Sequence, residues 1–88
     1  MNFEPRNLLI TGGAGFIGSN FVHHWLANSR EGQVVVLDAL TYAGNIDNLS
    51  DVKSDPRYVF VRGDICDEAI VSALLLKHRI DTIVHFAA

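Results

Sequence analysis

Residues 7–18 read NLLITGGAGFIG, and their reading decides the fold. Asn7 to Thr11 form a short apolar run halted by Gly12 and Gly13, the pattern of a buried strand bounded by turn residues. From Phe16 the period becomes helical. At about 100° per residue, Ile17, Phe21, Val22, Trp25 and Leu26 share one half of the wheel, while Ser19, Asn20, His23 and His24 share the other. This predicts an amphipathic helix from Phe16 to near Asn28, joined to the strand by a tight glycine turn.

The pattern continues outward. Ser29 to Gly32 reads as a turn, and Gln33 to Leu37 (QVVVL) is apolar and β-branched without alternation, as in a strand buried on both faces. A polar, irregular stretch runs from Asp38 to Pro56, with a short helical turn expected around Ile46 to Leu49. Tyr58 to Arg62 (YVFVR) is a third strand, followed by the turn residues Gly63 and Asp64. Asp67 is a suitable N-cap for a helix from Glu68 to near His78, whose stripe is Ile70, Val71, Leu74 and Leu75. Thr82 to Phe86 (TIVHF) is a fourth strand. Strands alternating with helices at this spacing imply a parallel sheet with helices on both faces. In the strand order of that fold the fourth strand pairs with the first, leaving Thr82 to Phe86 as an apolar edge.

Two glycine registers coexist in the first turn. Gly13, Gly15 and Gly18 match G-x-G-x-x-G, while Gly12, Gly15 and Gly18 match the G-x-x-G-x-x-G spacing of short-chain dehydrogenases. An early glycine permits the turn, and Gly15 lets phosphate oxygens reach backbone N–H groups at the helix start. Gly18 sits mid-face in the helix at a propensity cost of about 1 kcal/mol against alanine, which implies close approach of helix and sheet. Ser19 follows where a P-loop needs lysine, so that alternative is excluded. Asp38 ends the second strand, and 38 − 18 = 20 is the separation at which an acid reaches an adenosine ribose diol. Its carboxylate would repel a 2′-phosphate, and Ala39, Leu40 and Thr41 bring no cation to neutralise one. The fold expected is therefore α/β, an NAD(P)-binding Rossmann-like doubly wound parallel sheet of which this is a four-stranded amino-terminal part, with NAD as the cofactor.

Composition narrows the class. At 88 residues the chain has room for one domain, and 49% apolar with 19% charged residues is a globular composition. Seven Lys plus Arg against ten Asp plus Glu give a net charge of −3, the wrong sign for neutralising nucleic-acid phosphates. Cys66 is alone, which points to a reducing compartment, the cytoplasm by default. No segment reads as a signal peptide or a membrane anchor.

The segments TGGAGFIGSNFV, LDALTYAGNIDNL, YVFVRGDICD and VHFAA together resemble the amino-terminal part of the dTDP-glucose 4,6-dehydratase family of extended short-chain dehydrogenases. The resemblance spans the whole chain. Its glycine loop is shared with sugar epimerases and decarboxylases, whereas LTYAGN after the aspartate is particular to the 4,6-dehydratases. The resemblance implies that Phe16 and Ile17 line the pyrophosphate and that Asp38, Ala39, Leu40 and Thr41 hold the ribose. It further implies that Asp64 and Ile65 contact adenine, and that Phe86, Ala87 and Ala88 begin the wall toward the nicotinamide.

The family oxidises C4 of dTDP-glucose with NAD, eliminates water across C5 and C6, and returns the hydride to C6; a homodimer is expected of the full-length enzyme. That chemistry needs a Tyr-x-x-x-Lys pair. Here Tyr42 and Tyr58 are followed four residues later by Ile46 and Arg62, so the resemblance places the catalytic groups beyond Ala88 and these 88 residues are expected to be inactive alone. No catalytic or metal-ligating residue is assigned. His23 and His24 read as solvent-facing and His78 as a helix-end cation. His85 reads as a core histidine, and Cys66 as a small half-buried residue whose thiol pKa a helix start could lower. A UDP-sugar epimerase or decarboxylase, or a non-catalytic NAD-binding module, are the alternative readings.

Overall fold

The computed structural model describes residues 5–29, 31–40 and 46–86. Its elements in chain order are β1 (Leu8–Thr11), α1 (Phe16–Asn28), β2 (Val34–Asp38), a 3-10 helix (Ile46–Val52), β3 (Tyr58–Arg62), α2 (Glu68–Lys77) and β4 (Thr82–His85). The four strands form one parallel sheet in the order β3-β2-β1-β4. Right-handed crossovers in that order place α1 and the 3-10 helix on one face and α2 on the other. The fold expected from the sequence is the one observed, and the helical turn after β2 extends three residues further than expected, to Val52.

The pleat divides the core in two. Leu8, Ile10, Val34 and Val36 meet Val22 and Leu26 of α1 and Leu49 of the 3-10 helix, with Tyr58 and Phe60 flanking. On the opposite face Leu9, Val35 and Leu37 meet Leu74, with Ile70, Val71 and Leu75 packed against them, so the stripe expected of α2 is the one it uses. Asp67 caps α2 by accepting from the Ala69 and Ile70 N–H groups. β1 and β2 are buried along their whole length, which is why they read as continuous apolar runs. On β4, Ile83 is exposed, as expected of an apolar edge.

α1 packs with the predicted face, Val22 and Leu26 in the core and Phe21 and Trp25 against it, and departs from the prediction at Ile17 and Ser19. Gly18, Ser19, Val22 and Leu26 are its buried positions, whereas Ile17 is exposed. Ser19 tolerates burial because its hydroxyl donates to the Phe16 carbonyl at 3.1 Å. His23, expected on the solvent face, is half-buried with Nε2 2.9 Å from Asp51 Oδ1, because the 3-10 helix packs beside α1 there.

At the opposite, amino-terminal edge of the sheet, Asp81 accepts from the Asn7 N–H at 2.9 Å and from the Arg6 N–H at 3.2 Å. The Arg57 guanidinium donates to the Leu26 carbonyl at 2.7 Å and to the Ser29 carbonyl, closing the carboxyl end of α1.

Candidate functional site

β1 delivers the chain to Gly12, whose φ of +72° lies in the left-handed region that glycine adopts without steric cost. The Gly12 N–H donates to the Leu37 carbonyl at 2.9 Å, Gly15 N–H to the Gly12 carbonyl at 3.2 Å, and Ser19 N–H to the Gly15 carbonyl at 2.8 Å, which starts α1. A Cβ on Gly18 would run into the Gly12 carbonyl oxygen and sit 2.9 Å from Gly13 Cα. The close approach expected of Gly18 is therefore to the glycine loop, and it is Gly13 that meets the sheet, where a Cβ would lie 2.7 Å from Val36 Cγ1. Gly15 caps α1 in extended backbone (φ −74°, ψ 173°), and as a glycine it brings no side chain to the first-turn amides. Those amides and the positive end of the helix dipole lie where an anion is stabilised.

Asp38 ends β2 and is only 8% exposed. Oδ2 accepts from the Ala14 N–H at 2.9 Å and Oδ1 from the Leu40 N–H at 2.8 Å, so one carboxylate joins the glycine loop to the segment after β2. Each oxygen keeps a further acceptor site. Leu40 has φ +56°, a left-handed backbone rare for a branched side chain, and the bond to Asp38 holds it there. The Asp38 carbonyl accepts from Gly63 N–H at 3.1 Å, which brings the carboxyl end of β3 alongside. Beyond it, Asp64 is exposed and accepts from the Cys66 N–H at 2.8 Å, while Ile65 is half-buried. Phe86 N–H donates to the Thr11 carbonyl at 2.8 Å, and the Phe86 ring lies 5.7 Å from that of Phe21.

The structure thus gathers Gly12, Gly15, Phe16, Ile17, Gly18, Asp38, Ala39, Leu40, Asp64, Ile65 and Phe86 along the carboxyl edge of the sheet, the edge at which open α/β sheets bind ligands. Phe16 and Ile17, in the first turn of α1, are 79% and 69% exposed. Asp64 bonds locally and not to Asp38. Thr41, Ala87 and Ala88 lie outside the described residues.

Two contacts at this edge have no sequence pattern behind them. Asn48, on the 3-10 helix, donates from Nδ2 to the Ala14 carbonyl at 2.8 Å, within a stretch whose composition reads only as irregular. Thr11 Oγ1 lies 2.6 Å from His85 Nδ1. That imidazole, expected in the core, is exposed among the described residues. Cys66 is likewise exposed, and the Asp64 carboxylate beside it pushes its thiol pKa up, opposite to the lowering a helix start could give. Among the described residues no group of three or more His, Cys, Asp or Glu side chains could hold a metal, and no helix is long and apolar enough to cross a membrane.

Comparison with known proteins agrees with this geometry. The family model for GDP-mannose 4,6 dehydratase matches residues 9–88. A dTDP-glucose 4,6-dehydratase of Neisseria gonorrhoeae is 49% identical over 83 residues, covering 94% of this chain and 24% of that protein. Among solved structures, the dTDP-glucose 4,6-dehydratase of Bacillus anthracis in complex with NAD superposes with a TM-score of 0.92 at 42% identity, covering 94% of this chain and 27% of that one. A UDP-glucose 4-epimerase of Thermotoga maritima with UDP-glucose superposes at 0.78 with 36% identity, covering 93% of this chain and 24% of that one. The chain spans about a quarter of the length of each of these three proteins.

Proposed function

The chain belongs to the GDP-mannose 4,6 dehydratase family, and we propose that residues 1–88 are the amino-terminal part of the NAD-binding domain of a nucleotide-sugar 4,6-dehydratase acting on dTDP-glucose. One observation carries the cofactor half: the buried Asp38 carboxylate lies 2.9 Å from the Ala14 N–H, so the ribose-binding acid and the phosphate-binding loop form one surface. NAD fits the residues present. The start of α1 offers its amides to the pyrophosphate, Gly15 presents no side chain to it, and Phe16 and Ile17 flank it with apolar surface. The remaining acceptor sites of Asp38 suit a ribose diol and repel a 2′-phosphate. Ala39, Leu40 and Thr41 would complete the ribose site, Asp64 and Ile65 the adenine side, and Phe86, Ala87 and Ala88 the wall toward the nicotinamide.

Bound here, NAD would accept the hydride from C4 of the hexose and return it to C6 after loss of water, a lyase reaction without net redox. The residues of this chain bind and orient the dinucleotide. They include no Tyr-x-x-x-Lys pair, so the 88 residues alone are expected to give no turnover. The choice of a 4,6-dehydratase over an epimerase rests on LTYAGN and on the closer superposition with the dehydratase, 0.92 against 0.78. The net charge of −3 and the single cysteine support a cytoplasmic enzyme without a nucleic-acid partner, and the family resemblance supports a homodimer.

The intact protein should bind NAD in preference to NADP by calorimetric titration and convert dTDP-glucose to a 4-keto-6-deoxy sugar. NADP bound as tightly as NAD would refute the role of Asp38, and inertness toward dTDP-glucose with turnover of another nucleotide sugar would refute the substrate.

A further inference from the structure

Ala14 is completely buried at the centre of the glycine loop, and its two backbone polar groups are held by side chains from the end of β2 and from the 3-10 helix. Its N–H goes to Asp38 and its carbonyl to Asn48 Nδ2, 2.8 Å away. Asn48 sits on the 3-10 helix, which is fixed independently of the loop. Leu49 is buried in the core with Val22 and Leu26, and Asp51 lies against His23 of α1. The anchor is therefore packed against α1 and the core where it meets the loop. A glycine-rich turn has many backbone states to lose on binding, and a turn already held in its binding geometry loses fewer.

We infer that Asn48 is a positioning residue for the dinucleotide site: its amide straps the Ala14 carbonyl and holds the glycine loop in the conformation that receives the pyrophosphate. Asn48 touches no cofactor atom in this role and acts through Ala14. Asn48 is itself exposed, so in Asn48→Ala water can enter where the amide was and the fold loses little. The loop loses its tether. The inference rests on the cofactor reading proposed above.

The test compares Asn48→Ala and Asn48→Leu with the wild type in the intact protein. Leucine matches the branched shape of asparagine and lacks the donor. Both variants should still fold cooperatively, with Asn48→Leu lowering the ligand-free urea midpoint more than Asn48→Ala because leucine keeps water from the Ala14 carbonyl; both should bind NAD roughly three- to tenfold more weakly and show faster amide hydrogen exchange across residues 12–15 in the ligand-free state. A role in shape alone would leave Asn48→Leu binding as wild type does, which would overturn the inference. So would unchanged loop exchange, or the failure of both variants to fold, which would assign Asn48 to the fold and not to the site. If the wild type itself binds no NAD, the cofactor reading falls, and loop exchange in the ligand-free variants still decides whether Asn48 tethers the loop.

Discussion

Replacing Asp38 by Asn separates the two duties of this carboxylate. As an anion it accepts from Ala14 N–H at 2.9 Å and from Leu40 N–H at 2.8 Å, one oxygen each. Asparagine has a single acceptor oxygen, and its NH2 group would face the other N–H donor to donor. Ala14 is fully buried and Leu40 half-buried, so the amide should rotate to keep oxygen on Ala14 and leave the Leu40 N–H unmatched. An orphaned buried donor costs about 1–3 kcal/mol; with Leu40 partly open to water the lower half of that range applies, about 1–2 kcal/mol. Leu40 should then leave its left-handed backbone, which this bond maintains. Asp38→Ala loses both acceptors and should cost more, about 2–4 kcal/mol. Urea unfolding of the intact protein orders the three, with wild type most stable and alanine least. Titration with both cofactors should show NAD weakened and the preference over NADP narrowed in both variants, since the charge that repels a 2′-phosphate is gone. Equal midpoints for all three proteins would refute the brace, and an undiminished NAD preference would refute the ribose assignment.

Gly18→Ala gains about 1 kcal/mol of helix propensity but drives a Cβ into the Gly12 carbonyl oxygen and Gly13 Cα, backbone atoms that cannot rotate away. Overpacking of about 1–3 kcal/mol should prevail, giving a lower urea midpoint; a higher one would show that helix and loop are not in contact. Gly15 has φ −74°, which any residue adopts, so Gly15→Val should lower NAD affinity far more than stability, read as a lost NAD-induced rise in melting temperature. At the other end of the sheet, burial pushes the Asp81 carboxyl up, but the Asn7 N–H, the Thr82 hydroxyl and Arg6 together hold it below the ordinary value of 3.8. A depressed carboxylate stabilises above its unfolded pKa, and that contribution is lost as pH falls through the folded one. Asp81→Asn should therefore flatten the loss of stability below pH 3.8, measured as the urea midpoint against pH, and an unchanged slope would exclude Asp81 from the acid response.

Where a residue's place follows from the repeat of the backbone, the sequence makes it legible. β1 and β2 are buried on both faces and read as unbroken apolar runs, and the stripe Ile70, Val71, Leu74 and Leu75 of α2 repeats with the helical period because the sheet lies along it. Asp38 is legible for a related reason: a helix of fixed rise followed by a strand of fixed rise converts twenty residues after Gly18 into a definite position beside the loop. Periodicity fails toward the ends of elements. Ile17, in the first turn of α1, matches the apolar wheel yet stays exposed, whereas Ser19 tolerates burial because its hydroxyl is satisfied within the helix. His85 follows an apolar pattern but, at the end of β4, is exposed among the described residues.

The tethers on Ala14 are illegible for a different reason. They are bonds to a backbone amide and a backbone carbonyl, groups that every residue other than proline carries, so no residue type at position 14 announces them. Their partners lie 24 and 34 residues away, the second across a segment with no repeat to extrapolate. A residue that binds ligand is constrained in kind, since a ribose diol calls for a carboxylate and a pyrophosphate for exposed amides. A residue that positions the loop needs only a donor that arrives at the right place, and serine, asparagine or lysine could each be brought there by a different backbone. Ligand-binding residues can therefore be read from composition and spacing, while the residues that preorganise them become visible only when the chain is folded, which is why Asp38 emerges from the sequence and Asn48 from the structure.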